Sequence, residues 1–143
     1  MLASVAAGEC AEWRETADGR LAEIIVLGQF SRNIFRNTAA ALAQDPMALT
    51  LSQHAIALGD HRALLSSRAA FTTMPYMHSE SRSIHPQAVT AFTEIGNSDN
   101  LNFKLKHKEI IDRFGRHPHR NPILRRTSTR EEEDFLSHPG SSF

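Results

Sequence analysis

Apolar residues recur along this chain with the spacing of helices, and no segment shows the strict alternation that indicates a β-strand. Met1 to Ala7 is predicted to form the last turns of a helix. A second helix is predicted from Thr16, a candidate N-cap, to about Arg32. Its apolar residues surround the axis, which predicts a central, buried helix. Those residues are Leu21, Ile24, Ile25, Val26, Leu27 and Phe30.

Gly28 lies in the middle of that helix, where glycine costs about 1 kcal/mol relative to alanine. The cost predicts that another backbone approaches there. Residues 31–37 are expected to turn the chain. A third helix is then predicted from Asp45-Pro46, with Asp45 as N-cap, to Gly59. Its predicted buried face consists of Met47, Leu51, His54 and Leu58.

Four more helices are predicted in the second half of the chain. A short one around Ser67 to Thr73 is expected to break at Met74-Pro75 and leave the loop PYMHSES. Pro86 is predicted to open the next helix, and Gly96-Asn97 to close it. A long helix is predicted from Ser98 or Asp99 to Phe114, with Phe103, His107, Ile110 and Phe114 on one face. A short last helix through Leu136 is predicted to start at a capping box, either Ser128–Glu131 or Thr129–Glu132. Residues 137–143 are predicted to form a loose tail.

Helices of this length joined by short turns indicate an all-α fold, built as an array of antiparallel helical hairpins. The length of 143 residues suits a single domain over residues 1–143. The formal net charge is zero, which argues against a general nucleic-acid or membrane-surface binder. The start of the chain lacks a basic leader, and the longest apolar run, Ile24 to Leu27, is too short to span a bilayer. We therefore expect a cytoplasmic protein, and its one cysteine, Cys10, rules out an intramolecular disulfide.

Basic residues are unusually rich in arginine, with thirteen Arg and three Lys. Arginine favours bidentate pairing with carboxylates or phosphates, although a GC-rich genome would give the same bias. Six arginines lie between residues 113 and 130, with few interleaved aromatic residues, so nucleic-acid binding is a minority interpretation. We expect Arg125, Arg126 and Arg130 to form ion pairs or cap helices. Arg116 and Arg120, with Asn121, are the candidates for an anion site.

Histidines offer a second kind of chemistry. His78 or His119 could act as a general base with Glu80 as its orienting acid, which would make the protein a hydrolase. The spacing of these residues matches no compact zinc signature, so we predict neither a metal site nor a cofactor. His107 and His54 lie on apolar helix faces, where a buried, hydrogen-bonded histidine is the common outcome.

Gln29, Arg32 and Asn33 come at the end of the central helix, where buried polar groups must find partners. They could reach the turn from His119 to Asn121 and form one polar cluster. The cluster would be either a structural network or a ligand pocket. Our functional hypothesis is a pocket for a small anionic ligand, formed by Gln29, Arg32, Asn33, His78, Glu80, Arg116, His119, Arg120 and Asn121.

Four segments, taken in order, carry a family resemblance: GQFSRNIFRNTAAA, MPYMHSE, HKEIIDRFGRHPHRNPIL and TSTREEEDFL. They resemble successive motifs of the bacterial domain of unknown function family 924, over nearly the whole chain. The resemblance implies an all-helical, tetratricopeptide-repeat-like fold and no established activity. It leaves the hypotheses of ligand binding and hydrolysis open.

The chain also departs from the pattern of that family. Family members usually begin with an aromatic-rich segment and a further helix, which are not found here. Gly28 stands where the family usually has Asp, His117 where it usually has Phe, and Arg125 where it usually has Gly. We expect the N-terminal difference to expose an apolar groove. A third hypothesis is therefore a helical interaction module, in which this groove binds a partner protein or a second copy.

Overall fold

A computed structural model describes residues 1–143, and the chain is helical with no β-strand. The α-helices are α1 (Leu2–Ala6), α2 (Ala17–Ile25), α3 (Ser31–Ile34), α4 (Asp45–Ala57), α5 (Asp60–Ala63), α6 (Ser66–His78), α7 (Ile84–Ile95), α8 (Ser98–Phe114) and α9 (Arg130–Leu136). A π-helical turn, Val26–Phe30, joins α2 to α3. Short 3₁₀ turns cover Ala11–Glu15, Ala39–Leu42 and Pro118–Arg120. The prediction of an all-α fold is confirmed, and no helix is both long enough and apolar enough to cross a bilayer.

The central helix runs from α2 through the π-helical turn into α3. Thr16 caps its start by accepting a hydrogen bond from the Gly19 N–H, as predicted. Leu27 is completely buried and packs with Val5 of α1 and Ala48 of α4. The helix extends four residues into the segment predicted to turn, since Ser31–Ile34 is helical. This element therefore forms the core between α1 and α4.

The later helices pack in sequence order, α4 on α6, α6 on α7 and α7 on α8, and α2 contacts both α4 and α6. A second apolar cluster lies between α6 and α7, where Tyr76 and Met77 pack against Ala88 and Phe92. Packing between successive helices is what a row of helical hairpins requires. A tetratricopeptide-repeat-like geometry stays a prediction.

Helix α4 begins where it was predicted, but its capping and its buried face differ from the prediction. Asp45 is the first helical residue rather than the N-cap, and its carboxylate pairs with Arg32. The buried residues are small, Ala48, Ser52 and Ala55, and His54 is exposed. The prediction of a buried His54 is wrong because α2 and α6 approach α4 closely along a face of small side chains, which periodicity of large apolar residues does not reveal.

Helix α6 continues through Pro75 to His78, so the expected break at Met74-Pro75 is wrong. Proline removes one N–H, and with it the hydrogen bond that the carbonyl of Phe71 would accept. Pro75 and its neighbours Tyr76 and Met77 are buried, and their packing against α7 offsets that loss. As a result His78 is the last residue of a helix rather than part of a loop.

The buried face of α8 also differs from the predicted one. His107 and Ile110 are buried as expected, but Phe103 is half exposed and Lys104 is fully buried. The Lys104 amine donates a hydrogen bond to His85 Nδ1, and His85 Nε2 donates to the Ser79 carbonyl. Burial lowers the pKa of Lys104 to about 8. A polar partner on α7 thus decides which side of α8 faces inward.

Gly28 has open space around it, because a Cβ added there would meet no atom within 4 Å. The predicted close approach of another backbone is therefore wrong. Gly19 is the crowded position, since an added Cβ would lie 1.9 Å from the Trp13 carbonyl oxygen.

The end of α8 and the start of α9 follow local sequence signals. Gly115 ends α8 in a left-handed conformation at φ +71°, and Thr129 with Glu132 forms the capping box that starts α9.

Candidate functional site

An open cleft of about 540 Å³ lies between the end of the central helix and the turn after α8. We call it the arginine–histidine cleft. Six of the predicted site residues line it: Gln29, Arg32, Asn33, His78, His119 and Arg120. The cleft is also lined by Arg36, Asn37, Ala41, Leu42, His107, Ile123 and Phe143. The three sequence segments that we expected to converge do so here.

The π-helical turn places Arg32 at one wall of the cleft. Arg32 Nη1 and Nη2 donate to the two carboxylate oxygens of Asp45 at 2.7 and 2.8 Å, and Nη1 also donates to the Gly28 carbonyl at 3.0 Å. Turns of this π-helical type are frequent at functional sites. Asp45 is thus already bound in a bidentate pair, and Arg32 is fixed in place.

Arg120 forms the opposite wall. Its side chain is 9% exposed, and its nearest charged partner is Asp45, with Nη1 3.9 Å from Oδ2. The guanidinium makes no hydrogen bond, although it carries five N–H donors. Burial lowers the pKa of Arg120 to about 10, so that the group keeps its charge at neutral pH. The cleft therefore contains a buried cation whose donors have no partner.

Four histidine rings stand beside Arg120. His107 and His117 meet edge to face with ring centroids 5.3 Å apart, His117 and His119 are 5.5 Å apart, and His78 is 6.4 Å from His107. Both ring nitrogens of His117 are buried without a hydrogen bond, as is Nδ1 of His107 and of His119. No group of three or more His, Cys, Asp or Glu side chains is arranged to hold a metal ion.

These histidines are neutral at physiological pH. Burial first, and then the charge of Arg120, lowers the pKa of His117 to about 2 and that of His119 to about 4. Burial, followed by the charge of Lys104, lowers the pKa of His107 to about 3. The pKa of His78 also lies well below its ordinary value because of burial and the nearby charges of Arg32 and Arg120. The rings of His78, His107 and His119 therefore present uncharged surfaces to the cleft.

A polar network behind the cleft holds the turn in place, and Asn121 is at its centre. Asn121 Nδ2 donates to Ser128 Oγ at 3.0 Å and to Glu132 Oε2 at 3.3 Å, and its Oδ1 accepts from Arg126 Nε at 2.9 Å. Glu132 in turn accepts two hydrogen bonds from Arg116, both at 2.7 Å. The hydrogen bonds from Arg116, together with others in the network, lower the pKa of Glu132 to about 2.

Glu80 joins the same network from the end of α6. Its carboxylate accepts hydrogen bonds from Arg126 and from the His117 backbone N–H at 2.7 Å. Burial alone would raise the pKa of Glu80, but these hydrogen bonds outweigh it and lower the pKa. Glu80, Arg116 and Asn121 thus do not line the cleft, and each side chain is already bound to protein partners. Arg126 forms an ion pair, as expected, whereas Arg125 and Arg130 form none.

The hydrolase hypothesis needs a histidine held by Glu80, and no hydrogen bond joins Glu80 to His78 or to His119. Neither histidine has a carboxylate that fixes its tautomer. The sequence hypothesis of a general base with Glu80 as its orienting acid therefore lacks its geometric basis in this structure.

Several residues of the cleft were not predicted. Arg36 and Asn37 follow Arg32 by four and five positions and lie in the turn after α3, so their nearness to Arg32 in sequence was the available signal. His117 does not line the cleft but contacts the rings of His107 and His119, and it was noticed only as a departure from a family pattern. Phe143 gave no signal, because a terminal aromatic residue in a tail predicts no contact.

A separate apolar groove of about 440 Å³ lies between α1 and the end of the central helix. Its lining includes Leu2, Ala6, Ile34 and Phe35, and the side chain of Ile34 is 60% exposed. An exposed apolar groove near the N-terminal helix was expected from the sequence. That a partner or a second copy binds there stays a prediction.

Comparison with known proteins agrees with the fold and leaves the chemistry open. A family model described as a bacterial protein of unknown function, DUF924, matches residues 1–140. The chain belongs to the DUF924 family. A solved structure of a protein of unknown function from Agrobacterium tumefaciens is similar, with a TM-score of 0.90 and 35% sequence identity over 94% of this chain and 76% of that chain. No curated protein matches the sequence.

The structure shows the surroundings of the three residues that depart from the usual DUF924 pattern. His117 takes the place of a phenylalanine, and its ring makes no hydrogen bond, as the phenyl ring would make none. Arg125 stands where glycine is usual and adopts φ +54°, a left-handed conformation that glycine adopts without strain. Gly28 faces open space in which a larger side chain would fit. All three substitutions leave the helical fold intact.

Proposed function

We propose that the arginine–histidine cleft binds a small anionic ligand, a carboxylate or a phosphate, through Arg120. One observation carries the proposal: the Arg120 guanidinium lines the cleft, is nine-tenths buried and makes no hydrogen bond. Buried polar groups in folded proteins are nearly always hydrogen-bonded, and an unpaired one marks a functional role or a missing partner. An anion is the partner that this guanidinium lacks.

The balance of charge around the cleft supports the same proposal. Arg32, Arg36 and Arg120 line it, and the two nearby carboxylates are each held in a bidentate pair, Asp45 by Arg32 and Glu80 by Arg126. Arg36 is exposed and makes only one long hydrogen bond, to Asn33 at 3.5 Å. Since the histidines are neutral, positive charge is in excess.

The planar fork of a guanidinium matches a carboxylate or phosphate with two parallel hydrogen bonds. Asn33, Asn37 and Gln29 could supply further hydrogen bonds from the rim of the cleft. The volume of the cleft is in the range of small-molecule sites. A binding role is favoured over hydrolysis because no histidine in the cleft is held by a carboxylate. A cytoplasmic location belongs to the same proposal.

Titration with inorganic phosphate, at ionic strength held constant with sodium chloride, tests this function. We expect phosphate to raise the melting temperature of the wild-type protein and to give a saturable signal in calorimetry. Arg120→Gln should weaken the binding about tenfold or more, because a hydrogen bond to a charged group contributes about 1.5–3 kcal/mol. Arg120→Lys should bind with intermediate affinity, since it keeps the charge and loses the fork.

Arg130→Gln is the matched control, because Arg130 is an exposed arginine on α9 without an ion pair. It should bind phosphate as the wild type does. Arg120→Gln removes a buried charge that has no hydrogen bond, so the variant should fold, and its own melting curve checks this. If neither phosphate nor acetate binds the wild type, or if Arg120→Gln binds as tightly as the wild type, the proposal is wrong.

A further inference from the structure

The last residue of the described chain lies in the arginine–histidine cleft. The ring of Phe143 stacks on the ring of His107, with centroids 4.0 Å apart and an angle of 28° between the planes. Its edge also approaches His119, at a centroid distance of 6.3 Å. Phe143 remains 47% exposed, whereas His107 is buried. The face of His107 that points to the cleft is therefore covered by a side chain that is itself only half covered.

His107 is buried beneath this contact. It projects from the buried face of α8, and the ring of His117 supports it from another side at an interplanar angle of 81°. It is neutral at physiological pH because burial lowers its pKa to about 3. A fixed, uncharged, planar ring is a good surface for stacking by another planar ring.

The tail that carries Phe143 is held weakly. No backbone hydrogen bond involves residues 139–143, and the side chain of Ser141 donates one long hydrogen bond, of 3.3 Å, to the Leu136 carbonyl. Segments with few hydrogen bonds and partly exposed side chains open at low free-energy cost. Phe143 can therefore leave His107 without unfolding any helix.

The stacking contact and the unpaired cation lie in one cleft. Arg120, His107 and Phe143 all line it, and apolar atoms of Ile123 and Leu42 complete the wall. A ligand that placed its anionic group on Arg120 could extend its remaining atoms over His107. The space it would then fill is the space that Phe143 fills in this structure.

We infer that the cleft-facing side of His107 is a stacking subsite for a planar ring, and that Phe143 occupies this subsite when no ligand is bound. The ligand class is then a small anion that carries an aromatic or other planar ring. The inference rests on the proposed function, because Arg120 is taken to hold the anionic group. It adds the part of the ligand that the anion site alone does not specify.

Benzoate and acetate are the probes, since they share a carboxylate and differ by one aromatic ring. Phe143→Ala should bind benzoate more tightly than the wild type does, by about twofold to tenfold, because a competing aromatic pair contributes about 0.5–1.5 kcal/mol. Acetate affinity should be the same in both proteins. In the variant, nuclear Overhauser effects should connect the ring protons of benzoate with those of His107.

Phe103→Ala is the matched control, because Phe103 is a similarly exposed phenylalanine on α8 that does not line the cleft. It should leave the affinities for both probes unchanged. If acetate and phosphate bind through Arg120 but Phe143→Ala leaves benzoate affinity unchanged or weakens it, the stacking subsite is wrong and the anion site stands. If no anion binds any of these proteins, both the proposed function and this inference are wrong.

Discussion

Arg126 chelates Glu80 across 46 positions of sequence, with Nη1 2.7 Å from Oε2 and Nη2 3.0 Å from Oε1. The same guanidinium donates through Nε to Asn121 and through Nη2 to the His117 carbonyl at 3.1 Å. It thereby ties the end of α6 to the turn after α8. The position of His119 and Arg120 in the cleft depends on this tie, because they lie between His117 and Asn121 in the turn.

Arg126→Ala should lower the free energy of unfolding by about 2–3 kcal/mol, because it leaves a half-buried Glu80 carboxylate without its cation. Chemical denaturation followed by circular dichroism measures this loss. Phosphate affinity should fall as well, since the turn that carries Arg120 loses a support. Arg130→Ala is the control, and a loss as large as that of Arg126→Ala would contradict the prediction.

Stability should fall as the pH decreases below about 6.5. In the unfolded chain histidines bind protons near their ordinary pKa of 6.5, whereas burial keeps the pKa of His107 at about 3 and that of His117 at about 2. The unfolded state therefore binds more protons than the folded state between these values, which favours unfolding as the pH falls. Each of these two histidines should contribute a slope that approaches about 1.4 kcal/mol per pH unit about one unit below pH 6.5, where the unfolded histidine is fully protonated.

His117→Phe isolates this effect, because phenylalanine fills a similar space and binds no proton. The variant should show a shallower decrease of unfolding free energy between pH 6 and pH 4.5, by about one proton. His54→Phe serves as the reference, since His54 is exposed and no such change is expected. Parallel pH profiles for wild type and His117→Phe would show that His117 does not cause the acid sensitivity.

Two glycines of the central helix should respond in opposite ways to alanine. Gly28→Ala should stabilise the protein by about 1 kcal/mol, because the added methyl group meets open space and alanine favours helices. Gly19→Ala should destabilise it, because the Cβ would lie 1.9 Å from the Trp13 carbonyl oxygen and the chain must shift. Thermal unfolding of both variants tests the pair, and equal effects of the two substitutions would contradict it.

Features decided by a few neighbouring residues could be predicted from the sequence. The N-cap at Thr16, the left-handed glycines Gly96 and Gly115, and the capping box at Thr129 need no information from distant parts of the chain. The same is true of the clustering of Arg116, Arg120 and Asn121 in the turn after α8, because these residues are close in sequence. Local capping residues were enough to predict these helix ends, and the family resemblance supported the all-helical fold.

Which distant side chains bind one another could not be predicted. Lys104 is buried rather than Phe103 because His85, nineteen positions away, accepts a hydrogen bond from its amine. Glu80 looked like the partner of a catalytic histidine, but Arg126 binds it. The contact of Phe143 with His107 depends on the path of the tail, which carries no periodicity. Each of these outcomes is set by contacts between segments that are distant in sequence.

The π-helical turn Val26–Phe30 gives the central helix a change of phase. One extra residue in a helix rotates everything after it by about 100° relative to everything before it. Leu27 in this turn faces the core, and Arg32, five positions later, faces Asp45 and the cleft. Deletion of one residue from this turn would keep the buried apolar contacts of the helix before it and rotate the arginines after it toward a different part of the surface. The length of this turn therefore determines where the helix presents its positive charge.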